Sequence, residues 1–229
     1  MRIKGLQKLT LLDFPGKIGA TVFLGGCNFR CPFCHNASLV IPEREGDLIS
    51  IEEFFAFLDK RRGMLEGVCI SGGEPTLCPE LPTFIKEIRA RGYAVKLDTN
   101  GYRPEVLSSL IDSGLLDYVA MDIKNSKEKY RETAGLPSLD ISKIEKSVEL
   151  LKEGKVPFEF RTTVVRELHT EEDIRSICRW LGEGVSLFLQ PFSDSGDIIE
   201  EGMSGYSVAE MDELLKIARE FVPLAQIRG

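Results

Sequence analysis

The chain has 229 residues, 43% of them hydrophobic and 28% charged, with a formal net charge of −7. That size and balance suit one globular α/β domain over residues 1–229, and the acidic excess argues against a broad nucleic-acid face. No apolar run is long enough for a membrane span, so proteins or small molecules are the expected partners, with no nucleic acid and no membrane. Six cysteines, half of them in one short stretch, and no leading apolar signal segment are the pattern expected of a reducing cytoplasm.

The chain opens with an extended piece and the turn Leu12-Asp13-Phe14-Pro15-Gly16. A buried strand follows at about 19–25 and runs into Gly25-Gly26. Beyond it, on a loop, lies Cys27-Asn28-Phe29-Arg30-Cys31-Pro32-Phe33-Cys34, with His35 and Asn36 next. Ser50 and Glu53 form a capping box for a helix to about Arg62, with Ile51, Phe54, Phe55 and Leu58 on one face. A short apolar strand at 67–70 enters Ser71-Gly72-Gly73-Glu74-Pro75-Thr76. From there, helices at 79–91, 104–113, 141–153, 171–181 and about 207–221 alternate with strands at 93–97, 118–121, 157–164 and 185–190. A last extended piece falls at 224–227. Strand-helix alternation implies a parallel sheet with its helices outside, and six main repeats are too few to close an eight-stranded barrel. Cys178 falls on the apolar face of its helix with Ile174, Ile177 and Leu181, and is read as core; Cys69 and Cys78 are read as structural.

Three cysteines spaced C-x3-C-x2-C can ligate a cubane iron-sulfur cluster and leave its fourth iron open. A zinc site, a ferredoxin-like loop and three buried thiols are the alternatives. Zinc normally takes four ligands in paired spacings, and ferredoxin loops use other spacings with a fourth cysteine. Adjacent glycines such as Gly72 and Gly73 admit a ligand close to the backbone, and a neighbouring carboxylate can accept from an ammonium group. Asp98-Thr99-Asn100-Gly101 and Asp122-Ile123-Lys124 stand at strand C-termini, which converge on one mouth in a barrel, although Asp and Asn before Gly are also common turn chemistry.

In that order, these motifs resemble the radical S-adenosylmethionine superfamily. The resemblance implies a partial (β/α)6 TIM-like barrel and a [4Fe-4S] cluster on Cys27, Cys31 and Cys34. The cofactor S-adenosyl-L-methionine would chelate the open iron and be cleaved by one electron to a 5′-deoxyadenosyl radical. Phe33, Cys34 and His35 are then the expected contacts at the cluster end, with Phe33 beside the adenine. Gly72, Gly73 and Glu74 match the motif that holds the amino group. Asp98, Asn100, Asp122, Ile123 and Lys124 resemble segments of the pyruvate formate-lyase activating enzyme that meet the ribose and carboxylate. The two aspartates are expected to gather a monovalent cation, since like charges at one mouth repel. Arg161 is read as either a mouth residue or a strand-end ion pair. Ser193 is set aside because the chain lacks the family's histidine near Gln190, and His169 is read as a helix cap.

Within the superfamily the lead-in Asp13-Phe14-Pro15-Gly16 is similar to that of glycyl-radical-enzyme activating proteins, and the chain most resembles the anaerobic ribonucleoside-triphosphate reductase activating family. The implied activity is an anaerobic oxidoreductase that takes hydrogen from a glycine of that partner, with flavodoxin or ferredoxin as electron donor. A small-molecule enzyme such as 7-carboxy-7-deazaguanine synthase, a peptide-modifying enzyme and a non-enzymatic metal-binding module are the alternatives. The basic loop 124–131 and the stretch from Ser193 to Tyr206 are read in two ways: as the lining of a peptide-sized entrance, the two closing on each other when it is empty, or as a solvated, charge-laced surface. The acidic, glycine-rich part from Asp194 to Tyr206 is read as a mobile surface loop.

Overall fold

A computed structural model describes residues 1–41, 48–194 and 196–229. Eight strands form one sheet in sequence order: β1 (Ile3–Thr10), β2 (Gly19–Leu24), β3 (Gly67–Gly72), β4 (Ala94–Thr99), β5 (Tyr118–Asp122), β6 (Phe158–Val164), β7 (Leu187–Pro191) and β8 (Gln226–Ile227). Only β1, the lead-in piece, runs antiparallel, on β2; every other neighbouring pair is parallel. After the short α1 (Ala37–Val40), the helices α2 (Ile51–Lys60), α3 (Leu81–Ala90) and α4 (Pro104–Asp112) follow β2, β3 and β4. The short α5 (Tyr130–Thr133) and α6 (Ile141–Lys152) follow β5, α7 (Glu171–Leu181) follows β6, and α8 (Val208–Arg219) follows β7. The result is the expected partial (β/α)6 barrel. Parallel pairing needs such crossovers, and helices on the outer face leave the strands buried on both sides.

Local chemistry places the helices. Ser50, Thr170 and Ser207 each accept a backbone N–H at their helix start, the last two in reciprocal boxes with Asp173 and Glu210. The apolar stripe of α7, Ile174, Ile177, Cys178 and Leu181, is buried as its 3.6-residue period requires. The register brings Asp122 beside Arg161, and Cys69 beside Lys96, so polar side chains from adjacent strands meet inside the barrel.

Two expectations about the loops are corrected. His169 is no cap, since Thr170 fills that position; its imidazole is fully buried between two loops. The Val165 N–H donates to Nδ1 (3.2 Å), so Nε2 carries the proton and donates to the Lys124 carbonyl (2.8 Å). Among the described residues, the charges of the basic loop are taken up away from the acidic one. Lys127 pairs with Glu145 of α6, Lys129 pairs with Asp173 of α7, and Arg131 donates to the Leu139 carbonyl. The later stretch is tied to the loop after β2 through Asp197, which accepts from Ser38 Oγ (2.7 Å), and through Glu200 N–H to the Pro32 carbonyl (2.9 Å). Tyr206 donates to the His169 carbonyl at its far end (2.6 Å). Ser195, within that stretch, lies outside the described residues.

Burial lowers the pKa of His169, because the neutral ring fits its partners and the charged ring would not. The folded value is depressed, so the stabilisation is complete above the unfolded value near 6.5 and is lost as pH falls from there through the folded value. Denaturant titrations should therefore show stability falling below about pH 6.5 by at most about 1.4 kcal/mol per pH unit from this group. The slope should shrink in His169→Gln, and an unchanged slope would contradict the assignment.

Candidate functional site

The C-terminal ends of the parallel strands enclose a cavity of about 240 Å³. Its lining includes Cys27, Cys31, Phe33, Cys34, His35, Gly72, Gly73, Asp98, Asn100, Asp122 and Lys124, so one hollow collects most of the residues singled out in the sequence. Phe29, Ser71, Arg161, Thr163 and Gln190 line it as well.

On one wall is the cysteine loop, and its backbone is held from outside. Arg30 turns its guanidinium onto the Cys27 and Phe29 carbonyls (2.7 and 2.8 Å), while its N–H donates to the Ala134 carbonyl (2.9 Å). A Cβ on Gly135, where φ is +60°, would lie 2.0 Å from the Arg30 carbonyl oxygen, so only glycine lets α5 and its following turn approach this closely. Periodicity gives no warning of so short a helix, although the glycine after Thr133-Ala134 marks its end.

Burial pushes the Cys27 thiol up to about 12, with Glu74 adding to the shift. It pushes Cys31 up to about 11 against the opposing pull of Lys124, and raises Cys34 as well. Polar hydrogens nevertheless gather round the sulfurs. Phe29 N–H donates to Cys27 Sγ (3.3 Å), Asn100 Nδ2 lies 3.9 Å from it, and the buried Nδ2 of neighbouring Asn28 has no hydrogen-bond partner among the described residues. Three thiols round a hollow, with an orphaned donor beside them, fit an iron-sulfur cluster, whose negatively charged sulfurs would accept that hydrogen and whose irons would displace the thiol protons.

The turn after β3 forms the neighbouring wall. Gly73 N–H donates to the Leu24 carbonyl (2.9 Å) and Glu74 N–H to the Gly26 carbonyl (2.8 Å). A Cβ on Gly73 would stand 2.0 Å from Gly26 O, so the two loops meet backbone to backbone. An ammonium has hydrogens to donate and no lone pair to accept with, so here it would meet the Gly73 carbonyl. Glu74 departs from expectation. It is 2% exposed and absent from the lining, and its carboxylate accepts from Thr76 N and Oγ1 (3.1 and 2.5 Å), Thr99 Oγ1 (2.8 Å) and Asn100 N (2.6 Å). It is a strut between β3 and β4 that aims Asn100 at the cavity, where Asn100 Nδ2 donates to Asn28 Oδ1 (2.9 Å). Ile123 is likewise outside the lining, its side chain fully buried in the core.

The opposite wall is a row of charges from three adjacent strands. Lys96 pairs with Asp98, Asp98 with Arg161 (3.2 Å), Arg161 with Asp122 (2.9 Å) and Asp122 with Lys124 (3.1 Å). The argument for a cation between the aspartates is thereby corrected: a guanidinium already stands there. Burial opposes ionisation of Asp98, but Arg161 and Lys96 outweigh it and bring its pKa to about 2. Asp122 is lowered in the same way by Arg161 and Lys124. Lys124 is held protonated chiefly by Asp122, against its own burial, and its ammonium lies 6.0 Å from the centre of the Phe33 ring. Arg161 faces the mouth and pairs with carboxylates there, the first of its two readings, and Thr163 and Gln190 join it on the alternation of β6 and β7, a placement the strand pattern could have supplied for Thr163. Ser193, set aside in the sequence, does not line the cavity.

This fold and site define an α/β barrel whose mouth carries a three-cysteine loop that fits a cluster. The sequence model of the radical SAM superfamily matches residues 21–181, and the chain belongs to that superfamily. It is 35% identical, over 99% of its length and 95% of the relative's, to a Methanocaldococcus jannaschii protein provisionally named a glycyl-radical enzyme activating enzyme. It is 32% identical to the pyruvate formate-lyase-activating enzyme of Clostridium pasteurianum over 54% of this chain and 52% of that one. Among solved structures, SuiB of Streptococcus suis bound to its precursor peptide SuiA superposes with a TM-score of 0.68 at 15% identity, covering 91% of this chain and 48% of that one, a likeness of fold. No helix among the described residues is long and apolar enough to cross a membrane.

In cluster-free protein the raised thiols should stay protonated at neutral pH. Alkylation of Cys27 and Cys31 by iodoacetamide, followed site by site by mass spectrometry, is expected to speed up about tenfold per pH unit from about pH 7 to 9. A rate at either site that levels off toward pH 9 would mark an ordinary thiol instead, and one that levels off near or below pH 8 an activated one.

Proposed function

We propose that this radical SAM enzyme activates a glycyl radical enzyme, the anaerobic ribonucleoside-triphosphate reductase, by abstracting a hydrogen atom from one of its backbone glycines. The observation that carries the reading is the polarity of the cavity: three thiols on one wall and a net positive row on the other, close enough for one zwitterionic cofactor to touch both. Support for the target class comes from the name of the full-length relative and from the shorter match to a pyruvate formate-lyase activator.

Cys27, Cys31 and Cys34 would hold a [4Fe-4S] cluster, and S-adenosylmethionine would lie between it and the charged wall. When bound, such a cluster would supply the single electron that reductively cleaves the sulfonium to methionine and a 5′-deoxyadenosyl radical. The chain's own residues do the positioning. Three cations share two carboxylates in the row, leaving one net positive charge for the cofactor's carboxylate, with Lys124 and Arg161 lining the cavity. The Gly73 carbonyl would take the ammonium group, and Phe33 would offer its ring to the adenine. Asn100 and the Asn28 amide would donate toward the cluster. Phe29, Phe33 and Val40 contribute apolar lining that limits water near the reacting carbon. A general base has no part, because hydrogen leaves as an atom. A flavodoxin or ferredoxin is the proposed electron source and the cytoplasm the proposed compartment. A bound monovalent cation is not part of the reading, because Arg161 already joins the aspartates.

The test is electron paramagnetic resonance on the partner. Reconstituted protein, reductant and S-adenosylmethionine, mixed anaerobically with the reductase, should give a glycyl signal that is absent with Cys31→Ala. Cofactor cleavage without a radical on that reductase would overturn the assigned target.

A further inference from the structure

Lys96 is 1% exposed, on a strand inside the barrel, and burying an ammonium is costly unless it is paired. Its partner is Asp98 Oδ1, and Cys69 Sγ lies 3.8 Å away on the next strand. Asp98 Oδ2 goes to Arg161 Nη1 (3.2 Å), Asp122 Oδ1 to Arg161 (2.9 Å) and Asp122 Oδ2 to Lys124 (3.1 Å). Every carboxylate oxygen of the two aspartates is thus in contact with a cation that the chain itself provides.

A monovalent metal ion at this mouth would add a fourth positive charge to two negative ones, within contact distance of a guanidinium and an ammonium. Such crowding is repulsive, and most so where water is scarce. The residues present therefore do not fit the cation that the family resemblance implies. They fit the opposite arrangement: a compact ammonium is the side-chain group closest in size and charge to a hydrated alkali cation stripped of its water, and Lys96 sets one on Asp98.

We propose that Lys96 and Arg161 are this protein's built-in monovalent cation. Lys96 is a positioning residue: it balances Asp98, Asp98 and Asp122 together fix Arg161, and the row is held open toward the cofactor's carboxylate without sodium or potassium. The inference rests on the reading that S-adenosylmethionine binds in this cavity.

The test is equilibrium binding of S-adenosylmethionine to the cluster-loaded protein in potassium, sodium, ammonium and tetramethylammonium buffers of equal ionic strength. Thermal melting of the cluster-free protein in the same buffers accompanies it. Wild type is expected to bind within about twofold in all four buffers, and to melt alike in all. Lys96→Met should bind at least about tenfold more weakly in tetramethylammonium, because Asp98 is left under-compensated, and should regain affinity in ammonium or potassium. Its melting temperature should become cation-dependent in the same order. Wild-type affinity that climbs several-fold with potassium or sodium would overturn the proposal, and so would a Lys96→Met protein that matches wild type in every buffer or is rescued by none. Should Lys96→Met not fold, Lys96→Gln and the wild-type cation series decide the matter. Wild type that binds no cofactor in any buffer would instead refute the reading of the cavity itself.

Discussion

The guanidinium of Arg161, set between Asp98 and Asp122, is the contact on which the mouth of this barrel depends. Two carboxylates on neighbouring strand ends repel, and both are partly buried, where water can do little to separate their fields. A cation between them turns that repulsion into a brace across β4, β5 and β6. Lys96 below and Lys124 above extend the alternation, so removing any member leaves a neighbour with unbalanced charge in poor solvent. The row gives the cavity a fixed positive wall before any ligand arrives, and preorganised charge of this kind needs no rearrangement when a carboxylate docks.

The facing wall is built by the opposite means, with close-packed backbone rather than charge. Gly73 against Gly26, and Gly135 against Arg30, clamp the cysteine loop from two sides at distances that forbid a side chain. Buried Glu74 ties the first clamp to the end of β4, and buried His169 ties the loop after β5 to the loop after β6. The site is therefore rigid on the side that would carry the cluster.

How much of this was legible in the sequence depended on range. Period and punctuation are local, so the strand-helix order, the cap at Ser50, the apolar stripe holding Cys178 and the C-x3-C-x2-C loop could all be read directly. Motif order carried the family. What failed needed knowledge of partners far away in sequence. Glu74 looks like a ligand contact until Thr99 and Asn100, about a strand and a helix later, take up its oxygens. The aspartates look as if they need an external cation until Arg161 arrives from β6. His169 looks like a cap because it precedes a helix, but a spare ring nitrogen finds Lys124 only in the fold. The charges of Lys127 and Lys129 are taken up by α6 and α7, which a count of local charge could not foresee.

Put together, a chain that carries the superfamily's motifs also carries a cavity whose two walls suit the two ends of one zwitterionic sulfonium cofactor. The central claim is that the cysteine loop and the charged wall act on the same molecule. The most direct test is low-temperature electron paramagnetic resonance of the reconstituted, reduced protein with and without S-adenosylmethionine. The account predicts a four-iron signal in the protein alone whose g values shift when the cofactor is added, and a smaller shift in Lys124→Ala. A signal that ignores the cofactor at saturating concentration would contradict it.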